Sequence, residues 1–398
     1  MNFQFSEKEE QLRKEIRAFV KENLPPGHMD YMLFDEHYDE AWRFSMSISR
    51  KLAQKGWLTM SWPKENGGMG ASQWEKAVFL EETGYWGIPG TMMGISGTGW
   101  VGPSLILFGT EYQKKKFLPP IAAGDDEGIW CTGYSEPDAG SDFANLQTRA
   151  EKRKDVYVVN GQKVWTSLAH RARWCWLAVR TNPDVQKKHH GISVLLVDMQ
   201  SPGITVRPLP NLVGLHSFNE VFFDEVEVPA LHLVGEENMG WYVLMQALAF
   251  ERGTVVANLG SMVRLLEEMV CYARQSGCYE RSDMRQKLAD LAIDLEAMKM
   301  CSLEENWKLY QKIAVVSEPA RNKALYDRIL EKISRLGTEI ILSYSQVDPL
   351  DKNTKWSRIK GAAEHVYWGL PGMWNATGTT DTQKNIISQF RLQLPKSY

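Results

Sequence analysis

The spacing of apolar residues changes twice along the chain, and each change predicts a different kind of structure. Up to about residue 125 the apolar residues recur every three or four positions, as on helices. From about 126 to 232 they alternate with polar residues, which is typical of strands. After Gly240 the helical spacing returns. The predicted fold class is α+β multidomain, with an N-terminal helical domain at 1–125, a β-domain at 126–235 and a C-terminal helical bundle at 236–398.

Capping and turn signals mark individual elements within these sections. Ser6 with Glu9 has the capping-box spacing, and Ser72 is placed to cap the helix that follows it. Asn160-Gly161 lies between two β-rich runs and predicts a tight hairpin turn. The four further runs predicted as strands are RWCWLAVRT, GISVLLVDM, GITVRPL and NEVFFDEVEVP, and the bundle helices are predicted at about 241–269, 283–313 and 318–342.

Composition narrows the class of protein. The chain has 398 residues, 43% of them hydrophobic and 24% charged, as in ordinary globular proteins. A net charge of −3 gives no reason to expect nucleic acid or an anionic membrane as partner, and no apolar run approaches the roughly 18 residues that span a bilayer. The charged N-terminal helix resembles neither a secretory signal nor a transit peptide, so we expect a cytoplasmic protein.

Several common sites are not supported by the sequence. The five cysteines lack a CxxC spacing and are expected to be reduced thiols, and the eight histidines show no ligand spacing that would predict a metal site. No GxGxxG motif follows a strand and no GxxxxGK[ST] motif occurs, so neither common nucleotide-binding loop is predicted.

One loop has the composition of a ligand site. CTGYSEPDAGSDFANLQTRA, residues 131–150, follows the first predicted strand and offers hydroxyl and backbone N–H donors at a bend. Such donors suit a ligand rich in carbonyls and phosphates. An ordinary turn of Asp, Gly and Ser remains the alternative.

A second candidate is an acid in an apolar helix. On a helix, Glu251 shares a face with Leu244, Ala247, Leu248 and Val255. A carboxylate on such a stripe is paired, protonated or used in chemistry. Burial raises a carboxyl pKa, which is also the condition under which glutamate acts as a base near neutral pH.

Several motifs in order resemble the acyl-CoA dehydrogenase family. They are WPKENGGMGAS, GTEYQKKKFLP, SEPDAGSD, VYVVNGQKVWTS, GISVLLVDMQSPGITVRPL, FNEVFFDEVEVP and GTTDTQKNIIS. The resemblance implies the family fold, in which an N-terminal helical domain, a central β-barrel and a C-terminal four-helix bundle follow one another. It also implies FAD as cofactor, an acyl-CoA substrate, electron-transfer flavoprotein as electron acceptor, and a homotetramer, with a heterotetramer as the variant.

The resemblance assigns roles to residues that match family motifs. For FAD these are Thr132, Gly133, Tyr134, Ser135, Ser141, Trp165, Thr166, Ser167, Thr379, Thr380 and Asp381. Arg274 matches no family motif, because its segment lacks the family's Phe-Gly pair, and it is proposed for the FAD pyrophosphate as the nearby cation. For the substrate they are Ser141, Phe250, Arg252, Thr377 and Gly378.

The base is the most informative departure from the family pattern. Many members carry it in a YEGT motif near the C-terminus, where this chain has Ala376-Thr377-Gly378-Thr379. A minority of members place the base on the first bundle helix, in a Glu-Arg pair that Glu251-Arg252 resembles. The resemblance therefore implies Glu251 as catalytic base, whereas a Glu251 that merely pairs with a cation is the alternative.

Substrate and activity follow from the same comparison. With its base on the first bundle helix, the chain resembles bacterial members that act on steroid side chains and on aromatic or alicyclic acyl-CoAs. We therefore expect a bulky acyl group. Two alternatives stay open. One is a flavin oxidase or monooxygenase on the same fold. The other is a non-catalytic or partner-dependent subunit of a heteromeric dehydrogenase, because the segment after the first bundle helix lacks the family's Phe-Gly pair.

Overall fold

The computed structural model describes residues 4–25, 39–91, 94–252, 257–347 and 356–395. The helices before the sheet are α1 (Glu7–Asn23), α2 (Asp39–Gln54), α3 (Gln73–Trp86), α4 (Gly102–Phe108) and α5 (Glu111–Ala123). The strands are β1 (Trp130–Gly133), β2 (Arg149–Arg153), β3 (Val156–Lys163), β4 (Trp174–Arg180), β5 (Ile192–Asp198), β6 (Ile204–Leu209), β7 (Phe218–Pro229) and β8 (Leu233–Val234). The later helices are α6 (Gly240–Arg252), α7 (Ala257–Ser276), α8 (Ser282–Tyr310), α9 (Ser317–Ile341), α10 (Ala362–Asn375) and α11 (Thr380–Ile386).

The order of helices, sheet and helices confirms the predicted fold class. Contacts divide the chain into two compact units that are not continuous in sequence. The helical unit comprises residues 1–33, 72–88 and 252–398, and the mixed unit comprises 34–71 and 89–251. The predicted domain boundaries near residues 125 and 235 stay a prediction.

Within the mixed unit, the sheet has eight strands and is mostly antiparallel. The strand order is β6-β7-β3-β2-β4-β5-β8, and β1 pairs in parallel with β4. Strands β4 and β5 are buried along nearly their whole length, because alternate side chains point to opposite faces and both faces are covered. One face contributes to a cluster with Cys175, Leu177 and Val197, and the other packs with helices α4, α5 and α6.

The helical unit has its own apolar core. Helices α7, α8, α9 and α10 supply its buried side chains. Helix α3 approaches α7 closely at Gly260, where a Cβ atom would lie 2.3 Å from the carbonyl oxygen of Glu81. Helix α1 is held to α3 by Arg13 and Arg17, which both contact the buried carboxylate of Glu82.

The predicted helix starts are confirmed by their caps. The N–H of Ser6 donates to the Glu9 carboxylate at 2.7 Å. The hydroxyl of Ser72 accepts from the N–H of Glu75 at 3.1 Å. The predicted helix at 241–269 corresponds to α6 and α7, with residues 253–256 between them outside the described part of the chain.

The predicted hairpin turn at Asn160-Gly161 is wrong. Strand β3 runs straight through both residues, and the turn lies earlier, where Arg153 pairs with Val156. Asn160 instead stands opposite a bulge in β7. Its side chain donates to Glu225 at 2.6 Å and accepts from the Glu225 N–H at 2.9 Å. A Cβ on Gly161 would lie 2.7 Å from the Thr148 Cα, so this glycine allows a close approach between backbones instead of a turn.

Candidate active site

The loop between β1 and β2, residues 134–148, begins where a small residue is required. Gly133 ends β1, and a Cβ there would lie 2.5 Å from the side chain of Leu177. The carbonyl of Ser135 accepts from the N–H of Val164 at 2.9 Å, which ties the start of the loop to the segment after β3. The side chain of Ser141 is exposed at the other end of the SEPDAGSD motif.

A buried ion pair anchors this loop. The ammonium of Lys163 donates to the Glu136 carboxylate at 2.8 Å and to the Tyr134 carbonyl at 3.2 Å. The same carboxylate accepts from the N–H groups of Gln147 at 2.5 Å and Thr148 at 2.8 Å. Burial disfavours the charge of Glu136, yet Lys163 and these donors outweigh it and hold the pKa of Glu136 below its ordinary value. The pair therefore fixes both ends of the loop.

The β3–β4 segment, residues 164–173, contains three of the predicted cofactor contacts. Trp165 has φ +61° and is 61% exposed, and Ser167 is also exposed. Thr166 between them is buried, and its hydroxyl has no hydrogen-bond partner within the described residues. The side chains of Trp165 and Ser167 are therefore the ones that a ligand could reach, whereas Thr166 faces the protein interior.

The structure places Glu251 close to Tyr134. Helix α6 buries Leu244 and Ala247 completely, and Glu251 lies half-buried near the end of the same helix. The pKa of Tyr134 is raised well above its ordinary value, first by burial and then by the negative charge of Glu251. The Tyr134 hydroxyl has no hydrogen-bond partner in the described ranges. An acid and the 134–148 loop therefore lie next to each other in the mixed unit.

Aromatic side chains connect the loop to α6. Tyr134 packs edge-on against Phe143 with ring centres 5.7 Å apart, and Phe143 stacks on Trp241 at 6.0 Å. Phe250 is partly buried against the same apolar cluster. The side chain of Arg252 lies outside the described part of the structure, as does Val255 of the predicted apolar stripe.

The remaining predicted residues belong to the helical unit. Thr377 has φ +56° and a buried hydroxyl that lacks a partner in the part of the chain described. The side chain of Gln383 donates to the carbonyls of Thr377 and Gly378, both at 3.1 Å. The hydroxyl of Thr379 caps α11 by accepting from the N–H of Thr382 at 3.2 Å. This short turn is therefore held in a defined conformation.

Helix α9 holds the start of α11. The hydroxyl of Thr380 donates to the Asp327 carboxylate at 2.6 Å, and Lys323 pairs with the same carboxylate. The side chain of Asp381 is exposed. Arg274, the predicted pyrophosphate contact on α7, is exposed and lies over the ring of Tyr279 at 5.1 Å.

Sequence reasoning missed the groups that support these candidates. Glu136 stands inside the SEPDAGSD motif without having been assigned a role, and Lys163 sits within a run of strand residues. A lysine at the end of a β-rich run is a usable signal, because a strand of a covered sheet tolerates a buried charge only when it is paired. Asp327, which accepts from the Thr380 hydroxyl, carries no comparable signal.

Models of the acyl-CoA dehydrogenase N-terminal, middle and C-terminal domains match residues 6–125, 131–226 and 238–391. The chain belongs to the acyl-CoA dehydrogenase family. Its members are flavoprotein oxidoreductases that act on CH–CH groups, and this chain is an acyl-CoA dehydrogenase by that relationship.

The chain is similar over nearly its whole length to several members of the family. It is 37% identical to acyl-CoA dehydrogenase IpdE1 of Mycolicibacterium smegmatis, over 97% of this chain and 98% of that protein. The IpdE1 protein of Mycobacterium tuberculosis is 33% identical with the same coverage. Among solved structures, the Tcur3481-Tcur3483 steroid ACAD has a TM-score of 0.90 at 30% identity and covers 100% of both chains. The ChsE4-ChsE5 complex of M. tuberculosis has a TM-score of 0.85 at 30% identity, also over 100% of both.

The described residues fit the family's cofactor and contain no competing metal cluster. In the mixed unit, the exposed side chains of Trp165 and Ser167 offer an aromatic surface and a polar contact that suit a flavin. All five cysteines are free, and within the described ranges no group of three His, Cys, Asp or Glu side chains is arranged to hold a metal. No described helix is both long and apolar enough to cross a bilayer.

Proposed function

We propose that the protein is an FAD-dependent acyl-CoA dehydrogenase that forms a 2,3-enoyl-CoA from a bulky, ring-bearing acyl-CoA. Glu251 is the base that takes the proton from the α-carbon, and electron-transfer flavoprotein accepts the electrons. The steroid ACAD among the similar structures supports a ring-bearing acyl group. A cytoplasmic location is part of the same proposal.

The observation that carries the proposal is the packing of α6 beside the 134–148 loop. Trp241 of α6 stacks on Phe143, and Phe143 packs against Tyr134, so the helix that carries Glu251 lies beside the loop that family motifs assign to the flavin. The apolar residues Leu244 and Ala247 form the inner face of the same helix. Partial removal from water strengthens the interaction of a carboxylate with a nearby proton donor, which suits a general base.

The predicted contacts divide into three sets. Thr132–Ser135 and Trp165–Ser167 would hold the flavin ring, while Arg274 and Thr379–Asp381 would hold the rest of FAD. Ser141, Phe250, Arg252, Thr377 and Gly378 are the substrate contacts. Bound FAD would supply the acceptor for the hydride of the β C–H bond.

The experiment is an anaerobic titration of the flavin-loaded protein with straight-chain, aromatic and steroid side-chain acyl-CoAs. We expect flavin bleaching with at least one ring-bearing substrate. In Glu251→Gln we expect FAD to remain bound and the rate of bleaching to fall about 1,000-fold or more. Glu236→Gln is the matched control, because it makes the same change on an exposed side chain just before α6. Full bleaching in Glu251→Gln would remove the base assignment.

A second candidate is a catalytic subunit that works only in a heteromeric assembly, for which the similarity to the ChsE4-ChsE5 complex is the supporting observation. A homotetramer would bind one flavin per chain and would have the mass of four chains in light scattering. A protein that is purified alone as a smaller species, and takes up FAD only when co-expressed with a second acyl-CoA dehydrogenase chain, would favour the heteromer.

A further inference from the structure

The turn between α10 and α11, residues 376–379, has an unusual backbone. Thr377 has φ +56° and Gly378 has φ +91°, and non-glycine residues rarely adopt such values. Surrounding contacts must therefore hold Thr377 in this conformation. A Cβ on Gly378 would lie 2.7 Å from Nε2 of Gln383, so that side chain lies directly against the turn.

Gln383 of α11 holds the centre of the 376–379 turn. Its side chain is completely buried, and its amide nitrogen donates to the carbonyls of Thr377 and Gly378, both at 3.1 Å. A flipped amide would set its oxygen against both carbonyl oxygens, so the orientation is fixed. One side chain thus holds two successive peptide groups.

These two hydrogen bonds also determine where the backbone donors of the turn point. In a trans peptide the C=O and the following N–H point in opposite directions, and no described peptide bond is cis. The N–H groups of Gly378 and Thr379 therefore point away from Gln383. Within the described ranges, the N–H groups of residues 377–379 have no hydrogen-bond partner, and all three residues are partly exposed. Such donors suit a ligand oxygen.

Helix α9 holds the two flanks of the turn. Lys323 and Asp327 are each 2% exposed and pair with each other one helical turn apart. The Lys323 ammonium also donates to the carbonyl of Met373 in the last turn of α10 at 3.1 Å. The Asp327 carboxylate accepts from the hydroxyl of Thr380, the first residue of α11, at 2.6 Å. With both flanks held, the contact with Gln383 sets the conformation between them.

We propose that Gln383 is a positioning residue for the substrate, which holds the 376–379 turn so that a backbone N–H of the turn donates to the thioester carbonyl oxygen. The inference rests on the proposed function, in which Thr377 and Gly378 are substrate contacts, and adds a residue to which that function assigns no role. Removal of the α-proton places negative charge on that oxygen. A donor fixed in advance stabilises the charge without reorganisation.

The test compares the wild-type protein with Gln383→Met, which keeps the length of the side chain and removes the amide. Both full-length proteins are saturated with FAD and assayed with the ring-bearing acyl-CoA that bleaches the wild-type flavin fastest. We expect kcat to fall about tenfold or more and KM to change less than about threefold, because a donor that acts on transition-state charge contributes little to ground-state binding.

A spectroscopic readout does not depend on turnover. The infrared stretch of the thioester carbonyl is recorded for the bound 2,3-enoyl-CoA product, labelled with carbon-13 at that carbonyl. A hydrogen bond to the oxygen lowers the stretching frequency, so we expect a smaller lowering in Gln383→Met than in the wild-type protein.

Gln113→Met is the matched control. Gln113 is also completely buried, and its amide donates to the carbonyls of Leu231 and Leu233 at 2.9 and 2.7 Å in the mixed unit. We expect both substitutions to lower the thermal midpoint of the flavin-free protein. Only Gln383→Met should lower kcat and change the carbonyl stretch, whereas Gln113→Met should keep kcat within about twofold of the wild-type value.

The outcomes separate this inference from the function it rests on. A Gln383→Met protein that matches Gln113→Met in kcat and in carbonyl stretch would overturn the positioning role while leaving the proposed function intact. The same holds for a variant that binds FAD less tightly but turns over normally once saturated. A wild-type flavin that no acyl-CoA bleaches would overturn the proposed function and the inference with it. If Gln383→Met does not fold, Gln383→Glu replaces it, because it keeps the size of the side chain and removes the NH2 donor.

Discussion

Removal of one partner from the buried Lys163–Glu136 pair is expected to destabilise the mixed unit strongly. Neither side chain reaches water, since Lys163 is 0% and Glu136 is 6% exposed. In Lys163→Met, the carboxylate keeps the N–H groups of Gln147 and Thr148 but loses its directly bonded cation, and only the charge of Arg180 still acts on it. Breaking such a pair costs about 3–5 kcal/mol, and the two remaining donors favour the lower end, about 3 kcal/mol.

Urea unfolding of the flavin-free protein, followed by tryptophan fluorescence, measures this cost. With a slope of about 3 kcal/mol per M, the midpoint falls by about 1 M. The double variant Lys163→Met with Glu136→Gln leaves no buried charge and should recover more than half of the loss. Arg281→Ala is the control, since it removes a solvent-exposed ion pair with Asp283, which water and salt screen. A Lys163→Met midpoint equal to that of Arg281→Ala would refute the reasoning.

Two further predictions concern stability. Gly161→Ala should destabilise the sheet by about 2 kcal/mol, because its Cβ would meet Thr148 at 2.7 Å and φ is +151°. Gly369→Ala in α10 should instead stabilise the protein by up to about 1 kcal/mol, because nothing lies within 4 Å of the new Cβ. A higher thermal midpoint for Gly161→Ala than for Gly369→Ala would contradict both expectations. Burial raises the pKa of Glu364 from 4.5 to about 7, so the folded chain retains a proton that the unfolded chain releases, and stability falls as pH rises from about 4.5 to 7. Urea titrations at pH 5 and 8 measure this fall in the free energy of unfolding, which should be about 3 kcal/mol smaller in Glu364→Gln than in the wild-type protein. An unchanged pH dependence would show that another group causes the fall.

Local patterns were sufficient to predict most of the fold. Apolar spacing located the helices and strands, and the caps at Ser6 and Ser72 depend on residues only three positions apart. The predicted turn at Asn160-Gly161 was wrong because the role of these residues depends on β7, more than sixty residues away, where Glu225 completes the bulge. A turn signature describes what two residues tolerate locally, and the pairing strand decides how they are used.

The candidate site likewise contains residues that could be predicted from the sequence and residues that could not. Glu251 stood out because a charge interrupted an apolar stripe, a contrast visible within a single helix. Asp327 is an ordinary polar residue in sequence, and its contact with Thr380 arises only when α9 and α11 pack together. A supporting residue of this kind cannot be found from spacing, since nothing in its own neighbourhood distinguishes it.

The bulge beside β3 also has a bearing on how the protein ages. Asn-Gly is the dipeptide most prone to deamidation, a reaction in which the backbone nitrogen of the glycine attacks the asparagine side-chain carbonyl. Here Gly161 is paired with Phe223 in the sheet, and Glu225 binds both ends of the Asn160 amide. These contacts keep nucleophile and carbonyl from the geometry that ring closure requires, so the folded chain should resist this spontaneous damage and lose that protection on unfolding.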